Sequence, residues 1–338
     1  MKRLLMALCV MVFLQAVQAK QSFAAEQEEA FAQTPEVQAF IAEMVQQHQF
    51  KPEELTRLFS EVKIKQSILN AMARPAEGKP WRDYRPLFIE PRRIAGGMRF
   101  WATHEAVLQR AEAQYGVPAA LIVAIIGIET FYGRNTGSFR VMDALSTLAF
   151  AYPKRAPFFR KELEHYLLLS REAEFDPLSI KGSYAGAMGI SQFMPSSYRQ
   201  YGVDFDADGH RDLWRNPADA IGSVGHYLQG YGWERDAPVL EQVRSANDPG
   251  KNLAGRGWNY RIPIKQWAGV GVSTNNTTSE AEAMLFELAS ENGPEYWLGL
   301  KNFYVITRYN RSFHYAMAAW ELSQTLEKAR AEARASTQ

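Results

Sequence analysis

The stretch 119-AALIVAIIGIETFYGR-134 sets one carboxylate behind ten apolar residues. From Ala119 to Ile128 it carries neither charge nor hydroxyl, and then a single carboxylate appears, Glu129. Pro118, just ahead, suits the first turn of a helix. Ile122, Ile125, Ile126 and Glu129 stand at i, i+3, i+4 and i+7 and share one face. Val123, Ala124, Gly127 and Ile128 keep the other faces apolar. A helix apolar all round is a buried one. The pattern therefore predicts a buried helix that ends in a carboxylate beside apolar walls. Desolvation there raises a carboxyl pKa, and a carboxyl still protonated near neutral pH is what a general acid requires. A glutamate at a helix end can equally turn outward or pair with Arg134, and structural networks also perturb carboxylates. The segment alone leaves both readings open.

The chain has 338 residues, enough for two or three compact units, with 46% hydrophobic and 22% charged residues, as in ordinary globular proteins. The start, MKRLLMALCVMVFLQAVQAKQS, has a basic tip, a short apolar run and small residues at its end, the signature of a secretory signal. Cleavage is expected after Ala19, with Ala25 as a second candidate. The apolar run is too short to span a membrane. Cys9 follows Leu8 inside it, where a lipid-attachment cysteine would need a small neighbour, so no stable membrane anchor is predicted. Removing residues 1–19 takes away Lys2 and Arg3, brings the formal charge from +1 to −1 and leaves no cysteine. There is then no basic field for nucleic acid and no thiol or disulfide chemistry. An exported, cysteine-free chain points to the periplasm of a Gram-negative bacterium.

Residues 26–75 read as short amphipathic helices, with Phe31, Val37, Phe40, Ile41 and Met44 on one stripe and Ile64, Ile68 and Met72 on another. The proline- and charge-rich 73-ARPAEGKPWRDYRPLFIEPRR-93 reads as an extended connection. Helices are expected over 99–114, 143–171 with a break at 152–159, 188–201, 219–231 and 312–335. Between about 236 and 300, short alternating runs separated by Gly, Asn and Pro predict a small β-containing insertion in a helical protein.

Two further runs carry candidate chemistry. In 182-GSYAGAMGISQFMPSSYRQYG-202, Gly182, Ala185, Gly186 and Gly189 permit close approach of a backbone or a ligand. Ser183, Gln192 and Tyr198 add hydrogen-bonding groups beside Phe193 and Met194, a mixture that suits a sugar's hydroxyls and its C–H face. Tight helix packing explains the same residues. In 204-DFDADGHRDLWRNPAD-219, Asp204, Asp206 and Asp208 alternate and Gly209 takes the sixth place, as in the first half of an EF-hand calcium loop, with His210 offering its carbonyl. The twelfth place holds Arg215 instead of Glu, so Asp219 is the acid available to close a longer loop; an acidic turn without an ion is the alternative. No HExxH, G-x-S-x-G elbow or phosphate loop occurs, and the six histidines show no metal spacing. A two-carboxylate glycosidase would need a partner for Glu129, and the sequence singles none out.

Taken together, IETFYGRNTG, YAGAMGISQFMPSSY, the DxDxDG loop and NFYVITRYNRS resemble, in order and spacing, the lytic murein transglycosylase B family, from about Tyr84 to Trp320. The resemblance implies a mainly α (α+β) fold: a lysozyme-like helical core with an N-terminal helical region and a small inserted β region, the EF-hand-like loop nearby. The expected domains are a signal peptide at 1–19 (up to 25), an N-terminal helical region at 26–95, a catalytic core at 96–235 with the loop at 204–219, the β region at 236–300, and a C-terminal segment at 301–338.

It further implies that Glu129 is the single catalytic acid/base. Glu129 would cleave the β-1,4 bond between N-acetylmuramic acid and N-acetylglucosamine in peptidoglycan without water and leave 1,6-anhydromuramic ends. Ser183, Gln192, Tyr309, Asn310 and Tyr315 match groove positions around the acid, and Tyr84 and Tyr227 match groove aromatics. Asp204, Asp206, Asp208, His210 and Asp219 match the family's ion site, so a structural Ca²⁺ is expected and no cofactor for the chemistry. Glycan strands are the expected partner, with cell-wall synthesis or division proteins as further candidates. A hydrolytic muramidase on the same fold and a non-catalytic peptidoglycan-binding protein are the alternatives.

Overall fold

A computed structural model describes residues 31–73, 78–245 and 249–336. The expected signal peptide and its cleavage sites lie outside the described residues. The chain divides into two units, one holding residues 31–73 and 138–187, the other 78–137 and 188–336.

The first unit is helical. Helices Pro35–His48 and Pro52–Ser60 both begin on a proline, whose missing N–H costs nothing in a first turn. The predicted stripe Val37, Phe40, Ile41 and Met44 is buried. Phe31, Phe40 and Phe59 meet Phe150 of helix Val141–Ala151, with ring centroids 5.7 to 6.2 Å from its ring. A 3-10 turn at Pro153–Arg155 separates that helix from Ala156–Glu172, at the predicted break. Two short strands, β1 (Phe139–Arg140) and β2 (Lys181–Gly182), pair antiparallel. The second predicted stripe is only partly realised: Ile68 is buried in helix Gln66–Met72, but Ile64 precedes the helix and is 40% exposed.

The second unit is built around the apolar helix Ala119–Thr130. Helices Pro91–Thr103, Glu105–Tyr115, Pro217–Gly230 and Phe313–Ala335 pack on it. Its residues 119–127 are all buried, as an all-round apolar surface demands. The β-containing region expected at about 236–300 holds strands β3 (Leu240–Ser245), β4 (Ile262–Pro263), β5 (Val272–Ser273), β6 (Glu282–Ser290) and β7 (Gly293–Gly299). They form an antiparallel sheet in the order β4-β6-β7-β3-β5. Its own core gathers Val243, Ile264, Trp267, Leu285 and Leu298. Phe286 on β6 stacks on Phe303 of helix Lys301–Tyr309, centroids 4.8 Å apart, and so ties the sheet to the helices.

Two local expectations are corrected. The segment read as an extended connection contains a helical turn at Trp81–Tyr84 and a 3-10 turn at Arg85–Leu87, because its aromatic side chains are drawn into the core: Trp81 and Tyr84 are buried. The helix expected over 188–201 starts only at Pro195. Ahead of it, Met188 and Phe193 exchange backbone hydrogen bonds across a tight turn with Gly189 at φ 72° and Gln192 at φ 50°.

Candidate active site

The apolar helix stops one residue after Glu129, and its stop is unusual. Phe131, Tyr132 and Gly133 follow one another at φ 52°, 63° and 82°. Two consecutive aromatic residues in the left-handed region are costly and persist only where their surroundings hold them. Phe131 N–H reaches back to Gly127 O at 3.1 Å and Tyr132 N–H to Ile126 O at 3.4 Å, which satisfies the last carbonyls of the helix. Thr130 Oγ1 accepts from Gly133 N–H at 2.9 Å and donates to Ile190 O at 2.8 Å.

The ring of Tyr132 fills a socket made by three glycines. A Cβ on Gly96, Gly97 or Gly127 would stand 2.6 to 2.8 Å from Tyr132 atoms. The Tyr132 hydroxyl donates to Arg93 O at 2.8 Å, and Arg93 in turn donates to Gly127 O at 2.5 Å. Burial pushes the Tyr132 phenol far up, so it keeps its proton. This socket fixes where the helix ends, and hence where Glu129 stands. The sequence reading does not single out Tyr132 or Arg93. The available signal was glycine in helix interiors, which costs stability unless something must come close.

Glu129 itself is only partly buried. Its Oε1 accepts from the Tyr315 hydroxyl at 2.5 Å. Tyr315 lies in the first turn of helix Phe313–Ala335, whose start is set by Ser312 Oγ accepting from Tyr315 N–H. Asn310 Oδ1 accepts from Ser312 N–H at 3.2 Å and turns the chain into that cap. Tyr309 stacks on Tyr315 with ring planes 9° apart, and its hydroxyl donates to Ser191 O at 2.6 Å. Tyr227 packs on Tyr309 with centroids 4.9 Å apart and donates to Arg308 O. Burial first, then the charge of Glu129, push the Tyr309 and Tyr315 hydroxyls well above the usual phenol range.

Gln192 stays partly open. Its amide donates to Gly189 O at 2.9 Å and Thr136 O at 3.1 Å, which leaves the side-chain carbonyl as an acceptor. Tyr84 is buried against His314, ring centroids 5.4 Å apart, the residue next to Tyr315. Thus Tyr315, Tyr309 and Tyr227 form one connected array with Glu129. Asn310 supports it through the helix start, and Tyr84 through His314. Ser183 belongs to the first unit, where its Oγ accepts from the N–H groups of Ala185 and Ala187 at 3.3 and 3.0 Å.

The acidic loop brings Asp204, Asp206 and Asp219 together, with one carboxylate oxygen from each within 4.8 Å of the others. Asp219 is fully buried and accepts from Phe205 N–H and Asp212 N–H, both at 2.7 Å. Burial, then the charges of Asp206 and Asp204, raise its carboxyl. Three carboxylates gathered this closely fit a hard divalent ion. Asp208 and His210 are exposed and stand outside this group of three; Asp208 Oδ1 accepts from His210 N–H. Asn216, unmarked in the sequence reading, joins the loop to the next helix: it donates to Asp206 Oδ2 and caps Ala218 N–H.

A buried helix delivers one glutamate, met by a tyrosine donor and edged with aromatic rings, on a mainly helical, lysozyme-like fold. The chain belongs to the family described as Transglycosylase SLT domain, matched over residues 32–324. It is 44% identical over 313 residues to membrane-bound lytic murein transglycosylase B of Escherichia coli (strain K12), covering 89% of this chain and 85% of that protein. Among solved structures, soluble lytic transglycosylase SltB1 from Pseudomonas aeruginosa matches with TM-score 0.83 and 50% identity, over 88% of this chain and all of that one. The E. coli lytic transglycosylase Slt35 in complex with calcium matches with TM-score 0.81 and 44% identity, over 89% and 95%. SltB3 from P. aeruginosa, in complex with NAG-anhNAM-pentapeptide, matches with TM-score 0.74 and 31% identity, over 86% and 78%.

Proposed function

We propose that this lytic transglycosylase cleaves the β-1,4 bond between N-acetylmuramic acid and N-acetylglucosamine in peptidoglycan, with Glu129 as acid and then base. Glu129 protonates the glycosidic oxygen. The carboxylate then takes the proton of the muramyl C6 hydroxyl, which attacks C1 and closes the 1,6-anhydro ring. No water enters. The observation that carries this reading is the lone carboxylate at the end of the buried helix, fixed by Tyr315 at 2.5 Å. The charge of Glu129 bears on both Tyr309 and Tyr315. A second carboxylate is dispensable where the substrate's own N-acetyl group or a stabilised oxocarbenium-like state replaces an enzyme nucleophile.

In this reading Tyr315 and Asn310 position Glu129 or the sugar, and Gln192 meets glycan hydroxyls or the N-acetyl group. Tyr309, Tyr227 and Tyr84 shape the apolar side of the groove. Asp204, Asp206 and Asp219 hold a structural Ca²⁺. The ion stabilises the loop and takes no part in the chemistry. The enzyme works in the periplasm after export, on glycan strands. Cell-wall synthesis or division proteins are its further candidate partners.

The deciding experiment is mass spectrometry of the products released from peptide-bearing murein. Anhydro-muropeptides, lighter by one water than hydrolysed products, support the proposal. Reducing-end muropeptides would make the protein a muramidase. No product, with the protein still bound to murein, would leave a binding protein.

A further inference from the structure

Three of the chain's eight tryptophans, Trp81, Trp297 and Trp320, line one cleft of about 490 Å³ in the second unit. The short helix Trp81–Tyr84 supplies one side, the C-terminal helix a second through Trp320 and Gln324, and the β6–β7 hairpin a third through Asn292 and Trp297. Trp81 is 3% exposed and forms the wall, while Trp297 and Trp320 are partly open.

Two pairs of polar groups lie among these rings. Arg85 Nε donates to both carboxylate oxygens of Glu321, at 2.8 and 3.0 Å. Trp297 Nε1 donates to Glu295 Oε2 at 3.4 Å. Glu291, Asn292 and Gln324 stand at the rim, with Arg82. The inventory is two guanidinium groups, three carboxylates, two carboxamides and the hydroxyl of Ser290. Such a set has no surplus of cations to hold a phosphate, and its acids are balanced but for one charge. It is rich in planar groups that donate to and accept from hydroxyls in their own plane, set beside indole faces that take the apolar C–H side of a ring. Pockets of this kind combine aromatic lining with a few placed polar groups.

We propose that this cleft binds an N-acetylated sugar of a glycan strand, as a site separate from the bond that Glu129 cleaves. The proposal rests on the reading of the chain as a murein-cleaving enzyme, and deepens it. The cleft also neighbours the active-site array. The Trp81 ring lies 6.2 Å from that of Tyr84 and 5.8 Å from that of His314, and His314 precedes Tyr315, the donor to Glu129. A polymeric substrate held at both places is anchored beyond the sugars that react, and a second anchored sugar raises the effective concentration of the strand at the first site.

The test uses the full mature chain carrying Glu129→Gln, with ¹⁵N-labelled tryptophan and chitotetraose as the probe. The indole N–H signals of Trp297 and Trp320, assigned through Trp→Phe variants, are expected to move saturably. Trp320→Ala and Gln324→Ala should each weaken that response, by ~3- to 10-fold. Gln324 is exposed, so its variant keeps the test valid if Trp320→Ala fails to fold. Cleft signals that stay still while the sugar binds elsewhere would overturn the proposal. So would signals that answer only to a free-amine stem peptide. Turnover of murein by the unaltered enzyme is scored separately. Turnover without cleft binding removes the cleft alone, and cleft binding without turnover removes the catalytic reading alone.

Discussion

The Tyr315 hydroxyl donates to Glu129 Oε1 at 2.5 Å, across 186 residues of sequence. One partner ends a buried apolar helix and the other begins the C-terminal helix. Because burial and the neighbouring negative charge raise the Tyr315 phenol well above its usual range, it remains a donor throughout the working pH range. Tyr315→Phe removes that donor and little else. We expect kcat to fall by ~10- to 100-fold with KM nearly unchanged. A variant with wild-type kcat and an unaltered pH profile would remove Tyr315 from the mechanism.

Glu129→Gln keeps the shape of the side chain and removes the transferable proton. Loss of a general acid costs ~10²–10⁴-fold in rate, and more where no other group substitutes. Murein binding should survive, as pull-down on sacculi will measure. Undiminished release of muropeptides would end the acid–base assignment.

Gly127→Ala should reverse the usual rule. In an open helix the change stabilises by ~1 kcal/mol. Here the new Cβ would stand 2.6 Å from the Tyr132 hydroxyl, and Tyr132 cannot retreat because Gly96 and Gly97 already press on it. We expect a loss of ~1–3 kcal/mol and a fall in kcat, since Glu129 lies two residues on. Urea unfolding and steady-state rates measure both. A more stable, fully active variant would show that the socket is loose.

Calcium should raise the melting temperature and EDTA lower it. At an ion concentration of a hundred times Kd the gain is ~2.7 kcal/mol, or about 5 °C for a unit of this size. Asp219→Asn should abolish the response, because Asp219 is the buried member of the three-carboxylate cluster. A melting curve indifferent to both calcium and chelator would rule the ion out.

In the first unit, burial alone would raise the Glu164 carboxyl, but Lys161 at 2.8 Å and His48 at 3.0 Å overcome it and hold it below the ordinary range. A depressed carboxyl stabilises the fold above its unfolded value and loses that contribution as pH falls through the folded one. Glu164→Gln should therefore cost ~1 kcal/mol at pH 7, with the gap to wild type closing in acid. Thermal melts at neutral and acidic pH measure it. A gap that widened on acidification would contradict the sign.

Read by itself, the sequence determined what depends on residue type along one element. An unbroken apolar surface from Ala119 to Ile128 has nowhere to go but the interior, so the buried helix and its terminal glutamate were legible. So were the N-terminal stripe and the β-containing insertion, which rest on periods of 3.6 and 2. Alternating aspartates with a glycine marked the loop in the same way. What the tertiary structure decided depends on approach between distant segments. Trp81 and Tyr84 turn a proline-rich connection helical because the core takes their rings. Gln192 leaves helical geometry because the backbone of Met188–Phe193 pairs with itself. The Tyr132 socket needs glycines from two helices thirty residues apart to meet one ring, and the tryptophan cleft needs three elements from opposite ends of the second unit. Local periodicity carries no term for such meetings: they are set by which buried surfaces fit together, and that is decided only when the chain has closed on itself.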